Sequence, residues 1–90
     1  METETLVKNA QKHVSKGLEI SKKLELAEYL NKPCKRLEAA AKANTAKEVE
    51  CLEELARREH GGESIDYSGF QAVADLVGET IEEMKLYGEL

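Results

Sequence analysis

The fold is decided by residues 6–30, LVKNAQKHVSKGLEISKKLELAEYL. Apolar or small residues recur there every three or four positions, the spacing that keeps one face of an α-helix inward. This inward stripe consists of Leu6, Ala10, His13, Gly17, Ile20, Leu24 and Ala27. The pattern predicts a helix over 4–31, which ends before Pro33 because proline disfavours helical geometry in the preceding residue. Whether Gly17 breaks or bends this helix is left open by the pattern.

Two further helices follow from the rest of the chain. Pro33 suits the first position of a helix over 33–59, where a missing N–H costs nothing, and Gly61 suits its C-terminal cap. A capping box at Ser68 predicts the start of a last helix over 68–87. The three segments are of similar length and have short connections, so we expect an antiparallel up-down bundle.

The middle segment allows two arrangements. Thr45 and Glu48 form a second capping box, which favours a new helix start after Asn44. The alternative is one unbroken helix, because apolar and small residues keep one face on both sides of Asn44. Breaks there and at Gly17 would give four or five helices instead of three. In every case we expect an all-α bundle of long helical segments that forms a single domain, residues 1–90.

The composition argues against several functional classes. The 90 residues carry 13 basic and 18 acidic side chains, a net charge of −5, whereas a nucleic-acid-binding domain is normally basic. No apolar run approaches the ~18 residues of a membrane span, and the acidic N-terminus does not resemble a signal peptide. Cys34 and Cys51 lack the spacing of metal ligands and are expected to be small buried thiols. We therefore expect an acidic cytoplasmic protein without membrane or nucleic-acid partners.

Opposite charges are segregated along the chain. Residues 1–47 contain ten Lys or Arg and six Glu, a net charge of +4, whereas residues 48–90 contain three Lys or Arg and twelve Asp or Glu, a net charge of −9. Such faces can simply be solvated, or basic and acidic helices can pack side by side. They can also let two molecules dock basic face to acidic face, which affects association rate and specificity more than affinity.

Sites for catalysis or metal binding are not evident in the sequence. Serine, histidine and aspartate do not form a recognisable catalytic set, and neither a glycine-rich phosphate loop nor zinc spacing occurs. The pairs Glu50–Glu53 and Glu79–Glu82 could supply oxygens to Mg²⁺, but each pair lies off the apolar stripe of its helix. We therefore expect a non-catalytic protein with no metal or cofactor.

One short string suggests an alternative function. His13-Val14-Ser15-Lys16-Gly17 resembles the H-x-x-K-G pattern of histidine phosphotransfer domains. The resemblance implies a helical bundle in which His13 carries a phosphoryl group and Lys16 offsets its charge. A transfer histidine must be exposed, whereas the periodicity places His13 on the inward stripe, where a partly buried structural histidine is expected.

Protein–protein interaction is the function that the sequence favours. A long bundle with few aromatic residues and many alanines has a thin core, and a second copy of the chain often completes such a core. We expect self-assembly, with a homodimer as the simplest form, or binding to another protein in a regulatory or adaptor role. The expected contact residues are apolar positions on helix flanks: Val7, Leu18, Leu26, Tyr29, Leu86 and Tyr87.

Overall fold

Three α-helices make up the architecture in a computed structural model that describes all 90 residues. They are α1 (Thr3–Tyr29), α2 (Lys35–His60) and α3 (Gln71–Leu86), and strands are absent. The all-α fold predicted from the sequence is confirmed. None of the helices combines the length and apolar character needed to cross a membrane.

Helices α1 and α2 are both continuous, so the predicted break after Asn44 is wrong. The Asn44 side chain is buried and donates a 2.8 Å hydrogen bond to the backbone oxygen of His13 on α1. Packing against α1 therefore keeps α2 continuous at this point. Thr45 is a solvent-exposed residue in the middle of α2 and does not cap a new helix. Gly17 likewise lies within α1 without interrupting it.

Helix α3 is shorter than the predicted segment 68–87, with 16 residues against 27 in α1. The Asp66 carboxylate accepts a 2.9 Å hydrogen bond from the Ser68 backbone N–H. That bond forms a turn of its own, and Gly69 follows at a φ of 81°, a conformation that favours glycine. Residues 66–69 are thus held in a turn, and α3 begins only at Gln71. The expectation of three helices of similar length is therefore wrong.

The core lies at one end of the bundle, where all three helices meet. Its nine buried residues are Leu6, Val7, Ala10, Leu52, Leu55, Ala56, Val73, Val77 and Met84. At the other end, residues 14–48 of the α1–α2 hairpin bury only Ile20, Ala27 and Asn44. The hairpin therefore extends well beyond the third helix, in a molecule measuring 48 × 29 × 20 Å. We call residues 14–48 the open half.

Candidate protein-binding surface

The open half presents a groove where a third helix would lie. Helix α3 is 11 residues shorter than α1 and ends beside Val49. This leaves the hairpin uncovered from about Val14 to its turn, about 22 Å at 1.5 Å per residue. The groove has a volume of about 240 Å³ and is lined by Val14, Gly17, Leu18, Ser21, Ala41, Thr45 and Glu48. The groove lies on the same face of the hairpin as α3. Val7 and Leu52 belong to the core that α3 shares, and Val14 and Thr45 lie seven residues, or about two helical turns, from them on α1 and α2.

Five of the six predicted contact residues are exposed. Leu18 and Leu26 on α1 are 63% and 59% exposed, and Tyr29 at the end of α1 is 84% exposed. Leu86 and Tyr87, at the end of α3, are also largely exposed. These positions lie in or beside the open half, where few buried side chains are available to pack against them.

Val7 is the predicted contact residue that the structure places elsewhere. Its side chain is only 2% exposed and belongs to the core that α1 shares with α2 and α3. Val7 was assigned to a flank because it lies beside the main stripe of α1. That flank is covered by α3, so Val7 is not accessible to a partner in this conformation.

The predicted contact residues leave out three exposed apolar residues, Met1, Leu30 and Val49. The periodicity of α2 places Val49 inward, yet it is 43% exposed because α3 ends beside it. Leu30 follows α1 directly and borders the turn to α2. The exposure of Val49 depends on where α3 ends relative to α2, which the apolar spacing within each helix does not give.

The basic residues of segment 1–47 and the acidic residues of segment 48–90 do not form ion pairs between helices. All five ion pairs join residues three or four positions apart on one helix, as in Lys8–Glu4 at 3.2 Å. Such exposed pairs contribute about 0.3–0.5 kcal/mol each to helix stability. Close ion pairs between helices therefore do not account for the charge segregation.

A polar contact joins α1 to α2 inside the open half. Asn44 Oδ1 lies 3.1 Å from His13 Nδ1, and Asn44 Nδ2 donates to the His13 backbone oxygen. Gly17 makes room for this arrangement, because a Cβ there would lie 3.3 Å from Asn44 Nδ2. The two hydrogen bonds fix how α1 and α2 pair where apolar burial is sparse.

These contacts give His13 a structural setting. The ring is half-buried, and one of its nitrogens is engaged by Asn44. His13 also lines a groove of about 600 Å³ together with Lys47 and Arg57, and Lys16 is not among the residues that line it. The predicted charge partner Lys16 is exposed and does not share this groove with His13.

Both cysteines are free and half-buried. A 3.2 Å hydrogen bond to Glu38 raises the pKa of the Cys34 thiol. Burial, followed by the negative charge of Glu50, raises the pKa of the Cys51 thiol. A raised pKa lowers the fraction of reactive thiolate. Groups of three or more His, Cys, Asp or Glu side chains that could hold a metal ion are absent.

The loop between α2 and α3 is fastened to the start of α1. Arg58 donates a 3.0 Å hydrogen bond to the Thr3 hydroxyl, and that hydroxyl donates to the Glu63 carboxylate. Tyr67, farther along the loop, packs against the core with its hydroxyl buried and unpartnered. Burial, followed by the negative charge of Glu59, raises the pKa of Tyr67. These contacts stabilise the core end of the bundle, and none of them involves a residue of the open half.

Comparisons with protein-family models, curated proteins and solved structures gave no match. The class of the protein is therefore defined by its own fold and surface. It is a small three-helix bundle whose α1–α2 hairpin is covered by α3 over only about half of its length.

Proposed function

We propose that this chain is a non-catalytic helical protein that acts by protein–protein interaction through its open half, with self-association as the primary mode. The observation that carries the proposal is the uneven core. Nine clustered residues stabilise one end, whereas the open half buries two apolar side chains and one asparagine.

The energetics of helices support this proposal. A helical segment gains most of its stability from packing an amphipathic face. The open half instead exposes Leu18 and Tyr29 on α1, and Ala41 on α2 lines the groove between the two helices. Covering this face with another protein would remove apolar surface from water at about 25 cal/mol per Å².

The chemical groups of the chain support a binding role better than a catalytic one. The thiols have raised pKa values, and His13 is engaged by Asn44. The exposed apolar side chains, by contrast, lie near unpaired charges, the combination of apolar centre and polar rim that is common in protein interfaces.

Light scattering coupled to size exclusion tests the proposal. At increasing protein concentration, we expect the mass to rise from 10.0 kDa toward twice that value, and to fall again at high salt. Leu18→Glu should hold the protein at the monomer mass, because it places a charge in the lining of the groove.

Ala72→Glu is the matched control. It adds the same charge at an exposed position in α3, outside the open half, and should leave association unchanged. Both variants should keep the helical circular dichroism of the parent protein. A parent chain that stays monomeric at every concentration and salt would contradict self-association, and equal association of the two variants would exclude the open half as its site.

A further inference from the structure

Two oppositely charged surfaces lie at the two ends of the open half, and neither forms an ion pair within the chain. The first is the basic turn, residues 29–36, with exposed Lys32, Lys35 and Arg36 and no acidic residue. The second is the acidic tip, residues 79–90, with four glutamates and one lysine. None of these side chains forms an ion pair.

The two surfaces cannot meet within one molecule. The end of α3 lies beside Val49, because Tyr87 and Val49 line the same small cavity. Val49 and Lys35 are 14 positions apart on the continuous helix α2, a separation of about 21 Å. Exposed charges this far apart are largely screened at physiological ionic strength.

We infer that two copies of this chain pair through their open halves in antiparallel orientation, so that the acidic tip of each copy contacts the basic turn of the other. In this arrangement the hairpin of one copy occupies the space beyond the end of the other copy's α3. The two open halves then form a four-helix segment with an α3 at either end.

The lengths of the helices support this register. The open half of α1 runs from Val14 to Tyr29, about 22 Å at 1.5 Å per residue. When a second copy lies antiparallel on this face, its turn therefore reaches Val14 of the first copy. The α3 helix of the first copy ends at about the same height along the bundle. Tyr29 and Leu30 at the turn and Leu86 and Tyr87 at the tip, all exposed in the single chain, come together there.

The charges favour the same register over its alternatives. A parallel pairing places basic turn against basic turn and acidic tip against acidic tip, which is repulsive in both places. The antiparallel pairing makes both end contacts attractive. It also places the C-terminal end of α3, which carries partial negative charge, near the lysines of the turn.

The size of the face predicts a reversible dimer. A surface about 22 Å long and two helices wide covers on the order of 500 Å² per copy, given a helix diameter of about 10–12 Å. Stable protein pairs commonly bury about 800 Å² per partner. Association should therefore depend on concentration and on salt.

Charge reversal tests the register, which rests on the proposed self-association. One variant carries Lys32→Glu with Lys35→Glu in the turn, and a second carries Glu82→Lys with Glu89→Lys in the tip. By sedimentation equilibrium at low salt, we expect each variant alone to dimerise at least tenfold more weakly than the parent. An equimolar mixture of the two should regain the parent affinity, because both end contacts of the heterodimer are again attractive. A chain with all four changes should also regain it.

Lys8→Glu with Lys12→Glu is the matched control, since it changes the net charge as the turn variant does but lies on the part of α1 outside the open half. It should leave the dissociation constant within about threefold of the parent value. Two results would overturn the antiparallel pairing but keep the proposed function, provided that Leu18→Glu abolishes the dimer. In the first, neither the turn variant nor the tip variant dimerises more weakly than the parent. In the second, the chain with all four changes does not regain the parent affinity. A parent chain that never dimerises would overturn both.

Discussion

Replacing Gly17 by alanine tests the polar contact that joins α1 to α2. In an unobstructed helix interior, alanine is more favourable than glycine by about 1 kcal/mol. At Gly17, however, the added Cβ would lie 3.3 Å from Asn44 Nδ2. Asn44 must then shift by a few tenths of an ångström, which lengthens its 2.8 Å hydrogen bond to the His13 backbone oxygen. We expect this loss to cancel most of the gain, so that Gly17→Ala leaves the free energy of unfolding nearly unchanged.

Removing the asparagine side chain separates the two effects. Asn44→Ala deletes two hydrogen bonds worth about 1 kcal/mol each and gains about 0.5 kcal/mol of helix propensity, so we expect a net loss of about 1.5 kcal/mol. In that background Gly17→Ala should stabilise the protein by the full ~1 kcal/mol. The coupling free energy between the two positions is therefore about 1 kcal/mol, within the range for residues in contact.

Urea denaturation followed by circular dichroism measures these differences, at a concentration low enough to keep the chain monomeric. Gly78→Ala is the matched control: it is exposed within α3, and its Cβ would meet nothing within 4 Å. It should stabilise by about 1 kcal/mol. If Gly17→Ala stabilises the parent as much as Gly78→Ala does, the contact with Asn44 costs nothing and the reasoning is refuted.

Four other substitutions test further features of the structure. Leu55→Ala should lower the free energy of unfolding by about 2–5 kcal/mol, because Leu55 is fully buried. Leu86→Ala should change the free energy of unfolding of the monomer by less than about 0.5 kcal/mol. Chemical denaturation at low protein concentration compares the two variants. Tyr67→Phe should raise the free energy of unfolding by up to about 1 kcal/mol at neutral pH, since it removes a buried hydroxyl without a partner. Because burial raises the pKa of Tyr67, the parent should lose stability as pH rises above about 10, the ordinary tyrosine value, and Tyr67→Phe should lose less; equal losses would contradict this. Glu38→Gln should accelerate alkylation of Cys34, whose pKa Glu38 raises, with the other cysteine as internal reference in peptide mass spectrometry.

Apolar periodicity and capping residues were sufficient to predict three helical segments and the inward face of α1, because spacing reports which face of a helix is inward. It could not predict where α3 begins, which depends on the turn at Asp66 and Ser68. The capping box at Thr45 led to the wrong prediction of a helix break. Its residues match the local sequence pattern of a helix start, but the contact of Asn44 with α1 holds α2 as one continuous helix. Asn44 did carry a signal: it lies seven residues from both Leu37 and Cys51, which places it on their face of α2.

The exposure of most of the candidate contact residues could be predicted because they are apolar and off the main stripe. Val7 could not be distinguished from them, since only the position of α3 shows which flank is covered. For the same reason the exposure of Val49 was not predictable. The open half itself is a property of three helix lengths together, and no single motif encodes it.

Amide hydrogen exchange on the unmodified chain at low and high protein concentration tests the central claim most directly. If another copy covers the open half, residues 14–48 should exchange more slowly at the higher concentration. Residues 52–56, already packed in the core, should be much less affected and serve as the internal reference. Exchange of residues 14–48 that does not depend on concentration, or protection confined to other residues, would contradict the account.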